Sequence, residues 1–362
     1  MRKITFSIPE FYGWPTHLLV GGLLCLLLAG CRSDDQVEPL PAPDDPYAFV
    51  APANFPPATY TFDNNPVSEA GFRLGKRLFF DPILSLDNTV SCNSCHNQSL
   101  AFADFPLHPV SIGVGGATGT RNAPQLVNLA FRREFFWDGG ATHLDFVPLN
   151  AIENPVEMQE EIGRVIDKLN ADPEYSGLFG EVFGQNRINT PQLLHALSQF
   201  MALMISNQSL YDQHLAGEYS LEPAEARGLA LFETHCQGCH SGILLTDESY
   251  RNNGLDSSFT DVGRELITAY EGDRGKFMVP SLRNVALTSP YMHNARFNSL
   301  QAVLDHYSDG MVDSPSLDPT FRREDGRLGI PLSETEKSDL IAFLKTLTDR
   351  NFTNNPLFFK EQ

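Results

Sequence analysis

The chain runs to 362 residues, more than one ordinary core fills, so two domains are expected. With 42% hydrophobic and 20% charged residues it has the composition of a globular protein, which excludes a disordered chain and a multi-span membrane protein. A net charge of −19 repels phosphate and excludes nucleic acid as a partner; solubility and a basic protein partner explain it equally well.

In chain order, Arg2 and Lys3 precede an apolar run over 18–30, too short for a comfortable membrane span. The run ends in Leu28-Ala29-Gly30-Cys31. Small residues directly before a cysteine are the pattern of a bacterial lipoprotein leader, in which Cys31 is lipidated and becomes the first residue. Ordinary secretory cleavage after Gly30 is the alternative. Residues 1–30 therefore read as a lipoprotein signal peptide, and the lipid would be the only contact with the membrane. Residues 31–61 read as a flexible tether, since 32–57 is polar, rich in Asp, Pro and Ala, and has no helical period.

Next come two similar blocks. Gly75-Lys76-Arg77-Leu78-Phe79 fits G-x-x-L-F on an amphipathic helix and precedes Cys92-Asn93-Ser94-Cys95-His96. Gly228-Leu229-Ala230-Leu231-Phe232 repeats the pattern before Cys236-Gln237-Gly238-Cys239-His240. A last helix is expected over 333–348, opened by a Ser333/Glu336 capping box, with Leu340, Ile341, Phe343, Leu344 and Leu347 on one face. The repeat suggests duplication of one module, with a boundary near 215–223. The domains then read as 62–214 and 215–352, followed by a tail over 353–362.

The chain has six cysteines. Cys25 falls in the leader, Cys31 is the lipid site, and the other four make up the two C-x-x-C-H motifs, so none is spare for a disulfide. C-x-x-C-H is the attachment signature of c-type haem. Two thiols one turn apart reach the two vinyl groups on one haem edge, and the following His is placed under the ring to bind iron. A zinc site built from both pairs, or a redox dithiol, would need neither His96 nor His240. The cofactor expectation is two covalent haem c groups.

Several further strings complete the pattern: LFFDP (78–82), SCNSCHN (91–97), GTRNAP (119–124), FFWDGG (135–140), NPVEM (154–158), CQGCH (236–240), VPSLRNVALTSPYMHN (279–294) and LQAVLDHY (300–307). On these motifs the chain resembles the bacterial diheme cytochrome c peroxidases and the related MauG-type enzymes, from about residue 69 to 348. The resemblance implies an all-α fold of two cytochrome c-like haem domains with long loops. It implies reduction of hydrogen peroxide at the N-terminal haem, with electrons from a periplasmic donor, a small cytochrome or a cupredoxin, entering at the C-terminal haem. Peroxide cleavage needs a group that moves a proton between the two oxygens, and Glu157 of NPVEM matches the family's distal glutamate. Trp137 of FFWDGG matches the tryptophan between the haems. Asn122 (side chain) with Thr288 and Pro290 (carbonyls) match the ligands of a calcium ion, for which oxygen donors are suited. Family members are often dimers, so a homodimer is an expectation.

Three positions depart from the peroxidase pattern. Val114 stands where a histidine ligand of the resting N-terminal haem is found, so an open haem that needs no reductive activation is expected; His108 could substitute only if its loop were rerouted. Val147 replaces a distal glutamine and makes that pocket more apolar. At the C-terminal haem, Tyr307 stands where the peroxidases have methionine and MauG-type enzymes have tyrosine; Met278, Met292 and Met311 are the alternative ligands. Tyr307 keeps a second reading open, a MauG-like oxidase that modifies residues of a partner protein. A non-enzymatic diheme electron carrier is the third.

Overall fold

The structure, a computed structural model, describes residues 45–105, 108 and 110–360. The leader and Cys31 lie outside them. The described residues form one compact unit of helices joined by long loops. The strands among the described residues are Tyr250–Arg251 (β1) and Phe277–Met278 (β2), paired antiparallel.

Helix α1 spans Glu69–Phe80 and starts where the Ser68 side chain accepts the Gly71 N–H. It buries Phe72, Leu74, Leu78, Phe79 and Phe80. After the first cysteine motif and a long loop come α2 (Val147–Glu153), α3 (Ile162–Ala171), α4 (Pro173–Phe183) and α5 (Thr190–Ala202). A capping box between Asn189 and Gln192 opens α5. Helix α6 (Leu210–Leu215) leads to α7 (Pro223–His235), which delivers the second cysteine motif. Then follow α8 (Glu265–Thr268), α9 (Leu300–Asp305), α10 (Glu334–Thr346) and α11 (Arg350–Thr353).

The repeat seen in the sequence has a packing counterpart. Helix α1 packs on α5, and α7 packs on α10. In each pair the G-x-x-L-F glycine lies against the backbone of the partner helix. A Cβ on Gly75 would strike the Ala196 carbonyl oxygen, and one on Gly228 would strike that of Asp339. Only a residue without a side chain lets these helices cross so closely. The expected last helix is present as α10, with the Ser333/Glu336 capping box formed in both directions. Leu340, Phe343, Leu344 and Leu347 are buried and Ile341 is half-buried.

The core consists of two main apolar clusters. One gathers residues 55–204 around Phe72, Phe79, Phe102, Phe179 and Phe200. The other gathers Phe232, Leu245, Val285, Leu300, Leu304, Leu340, Phe343 and Leu347. A small third cluster, Met311, Leu317 and Phe321, packs against Tyr307.

Both chain ends correct the sequence reading. The tether expected to reach residue 61 stops earlier, because its aromatic residues pack. Phe55 and Tyr60 are buried, Phe49 lies 4.3 Å from Phe62, and the Thr59 and Tyr60 N–H groups donate to the Ala130 carbonyl. The Pro- and Asp-rich composition hid these anchors. In the stretch read as a tail, Phe358 packs into the first cluster beside Phe352, far from that cluster's other members in sequence. Gln98 fixes this return, its Nε2 donating to the Asn355 carbonyl at 2.8 Å.

Candidate functional site

The first motif lies on a tight turn, Cys92–Ser94, closed by reciprocal Ser91 and Ser94 hydrogen bonds. The His96 N–H donates to the Cys92 carbonyl at 3.0 Å. The His96 ring turns Nδ1 toward the Phe102 carbonyl at 2.8 Å, which leaves Nε2 for a metal. Cys92, Cys95 and His96 line a cavity of about 1080 Å³, whose wall also includes Asn122, Trp137, Val147, Glu157, Met158, Thr288 and Pro290. Both thiols are free, and burial pushes Cys92 up to about 12 and Cys95 up to about 11. The dimensions and the donors fit a covalently held haem with one imidazole ligand.

Glu157 reaches this cavity from an Asn-Pro turn. Asn154 Oδ1 accepts the Val156 N–H at 3.1 Å, and Asn154 Nδ2 donates to Glu157 Oε1 at 2.7 Å. Burial raises the carboxyl to about 7, against the opposing pull of Asn154. Val114 N–H donates to the Glu157 carbonyl at 2.8 Å, and Val114 is buried in the apolar cluster. Val114 itself is not among the residues that line the cavity. His108 pairs instead with Asp104, at 3.3 Å, and is not among the cavity-lining residues.

The second motif follows α7 directly. The Cys236 N–H still donates to Phe232, and the His240 N–H donates to the Cys236 carbonyl. His240 Nδ1 faces two carbonyls, Pro280 at 3.1 Å and Leu245 at 3.3 Å. Tyr307 is half-buried near Cys236 and Cys239, and desolvation pushes its phenol up to about 12. It stands on a single π turn, His306–Gly310, that continues α9; such turns often mark functional positions. Its hydroxyl lies 3.4 Å from Asn253 Nδ2, which is also 3.4 Å from Met292 Sδ. Met278 Sδ instead accepts from Arg132 at 2.6 Å, and Met311 packs in the third cluster. The two motifs are not brought together into one cluster of metal ligands: among the described residues no group of three or more His, Cys, Asp or Glu could hold an ion. That removes the zinc reading.

Trp137 joins the two regions. Its ring lines the large cavity, and its Nε1–H donates to the Asn122 carbonyl at 2.8 Å. Its own carbonyl accepts the Met278 N–H at 2.8 Å, two residues before Pro280, whose carbonyl meets His240. Asn122 Nδ2 lies 2.6 Å from the Pro290 carbonyl, and the Asn122 N–H donates to His293. Asn122, Thr288 and Pro290 line the same wall.

A profile of the di-haem cytochrome c peroxidase family matches residues 69–220. The chain is 37% identical over 289 residues to the methylamine utilization protein MauG of Methylorubrum extorquens, covering 78% of this chain and 79% of that one. The chain belongs to the MauG and diheme cytochrome c peroxidase family. It is 32% identical to the cytochrome c551 peroxidase of Pseudomonas aeruginosa, over 79% of this chain and 80% of that one. Among solved structures, a MauG-like protein associated with microbial copper homeostasis superposes with a TM-score of 0.76 at 34% identity, over 85% of this chain and 97% of that one.

Within this diheme family member, three site features escape sequence reasoning. Asn154 orients Glu157, and its Asn-Pro dipeptide signals only a turn. Asn253, between Tyr307 and Met292, sits in an Asn-Asn-Gly stretch that also reads as a turn. The carbonyls of Phe102, Leu245 and Pro280 carry no side-chain signature at all.

Proposed function

We propose that the protein is a diheme cytochrome c peroxidase, reducing hydrogen peroxide to two waters with two electrons and two protons. The observation that carries this reading is Glu157: a carboxyl held at a proton affinity near neutrality, in the same cavity as Cys92, Cys95 and His96. When bound there, haem iron supplies an open coordination position and redox equivalents for peroxide. Glu157 takes the proton from one peroxide oxygen and returns it to the other, a role suited to a group that titrates near the working pH. Asn154 keeps its carboxyl turned to the cavity. Val147, Val156 and Met158 make the wall apolar, which excludes competing water. Trp137 carries electrons from the His240 side to the cavity.

Each half is read as a cytochrome c-like domain, α1 with α5 holding one haem and α7 with α10 the other. Further parts of the proposal are a calcium ion at Asn122, Thr288 and Pro290, a small cytochrome or cupredoxin as donor, export with a lipid at Cys31, and a homodimer. Among the described residues no helix is long and apolar enough to cross a membrane.

Electron paramagnetic resonance of the diferric protein, before and after stoichiometric peroxide, tests the reading. One high-spin haem whose signal is lost on peroxide supports it. Two low-spin signals, unchanged by peroxide in the diferric and half-reduced states, leave an electron carrier. A second reading, a MauG-like oxidase acting on a partner protein, draws on Tyr307 beside Cys236 and Cys239. A phenolate ligand favours ferric iron. Tyr307→Met should then raise the potential of the C-terminal haem, and an unchanged potential and spectrum would place the ligand elsewhere.

A further inference from the structure

The bulkiest fully buried side chain among the described residues is a charged one, Arg283. Its guanidinium forks onto Asp212, Nη1 to Oδ2 at 2.9 Å and Nη2 to Oδ1 at 2.8 Å, with side-chain exposures of 1% and 5%. Its Nε donates to the Ile243 carbonyl at 2.9 Å, and its face lies 5.0 Å from the Phe55 ring. Ser209 adds its N–H and hydroxyl to Asp212 Oδ2. Sealing two charges from water is costly, and well-packed apolar residues often do as well. Stability alone therefore does not account for this pair.

What the pair holds is the seat of His240. Ile243 lies two residues before Leu245 and Arg283 three after Pro280, and the carbonyls of Leu245 and Pro280 are the two that face His240 Nδ1. These segments are laced together: the Ser281 hydroxyl donates to the Leu244 carbonyl at 2.6 Å and accepts the Arg283 N–H at 3.2 Å, and the Leu282 N–H donates to Leu245. Arg283 is the charged anchor of that lacing. Asp212 belongs to α6 and, with His240, lines a cleft of about 730 Å³. At the other motif, His96 Nδ1 has only the Phe102 carbonyl, at 2.8 Å.

We propose that Arg283 and Asp212 are a positioning pair that holds the Leu245 and Pro280 carbonyls against His240 and so sets the potential of the C-terminal haem. A hydrogen bond from Nδ1 to a carbonyl makes imidazole a stronger donor to iron, which favours the ferric state. Loosening the two carbonyls weakens that bond and raises the potential. The inference rests on His240 as a haem ligand.

The test uses the full-length, haem-loaded protein. Haem is counted by pyridine haemochrome, and the midpoint potential and resonance g-values of each haem are measured separately. Asp212→Asn breaks the fork but leaves a buried guanidinium, so the double variant Arg283→Met with Asp212→Leu removes both charges without orphaning either. The expected result is two haems and a rise in the C-terminal haem potential of about tenfold in reduction constant, ~59 mV for one electron, with the other haem unmoved. Two haems with both potentials unchanged, or both shifted alike, would overturn the proposal. Fewer than two haems in the wild type would overturn the ligand reading instead.

Discussion

Glu157 shows how much a single residue can be asked to do. As a base it must be ionised to receive the first proton from peroxide, and burial raises its carboxyl to about 7. kcat/KM should therefore rise with pH through about 7 and level off above it. The same burial makes the folded state the tighter proton binder, so this residue's contribution to stability falls as pH rises from about 4.5 to about 7. Glu157→Gln should lower kcat by roughly 10²–10⁴-fold and flatten that limb of the pH profile, with haem content unchanged. It should also unfold no earlier on heating at pH 8; a normal turnover number would remove Glu157 from the mechanism. Trp137→Phe keeps an aromatic ring but loses the hydrogen bond to Asn122. Rapid mixing of the half-reduced protein with peroxide should show inter-haem electron transfer slowed by at least about tenfold, while peroxide still binds. An unchanged rate would leave Trp137 a packing residue, the commoner fate of a buried indole.

At the scale of elements, the two G-x-x-L-F helices explain what was legible in the sequence. Their apolar spacing predicts amphipathic helices, and both form, as does the capped last helix. The partner of α1 was not foreseen. Helix α5 is buried along most of its length, so it lacks the polar face that makes α10 recognisable. Gly228→Ala places a methyl group against the Asp339 carbonyl and must push α7 away from α10. A loss of about 1–3 kcal/mol is expected in denaturant titration. Gly163, on α3, has open space at its Cβ position, and Gly163→Ala should be neutral or slightly stabilising in the same titration. Equal effects at the two positions would contradict the close-crossing argument. The cysteine pairs, which carry chemistry through side chains, stood out in the sequence, whereas Glu157 was reached only through the family resemblance of NPVEM. The π turn beneath Tyr307 and the carbonyls behind both histidines did not stand out, because backbone groups are the same in every residue.

For the molecule as a whole, the described residues form one compact unit with two main apolar clusters, and the C-terminal stretch crosses from one cluster to the other. Residues 350–360 leave the second cluster and complete the first, through Phe352, Phe358 and the Gln98 and Lys76 hydrogen bonds. Deleting residues 350–362 should therefore damage the His96 side more than the His240 side. Thermal unfolding followed at the two haems should show the high-spin signal lost first; simultaneous loss would mean that the clusters unfold as one. The acidic balance and the two motifs were plain from composition and spacing, whereas this return depended on the Phe102–Phe352 and Phe102–Phe358 ring pairs, each joining distant parts of the chain, which no local pattern encodes. A ribosome releases the chain from the other direction. The attachment cysteines of the first motif therefore emerge before Phe352 and Phe358, and the core beside them cannot close until those two side chains have followed.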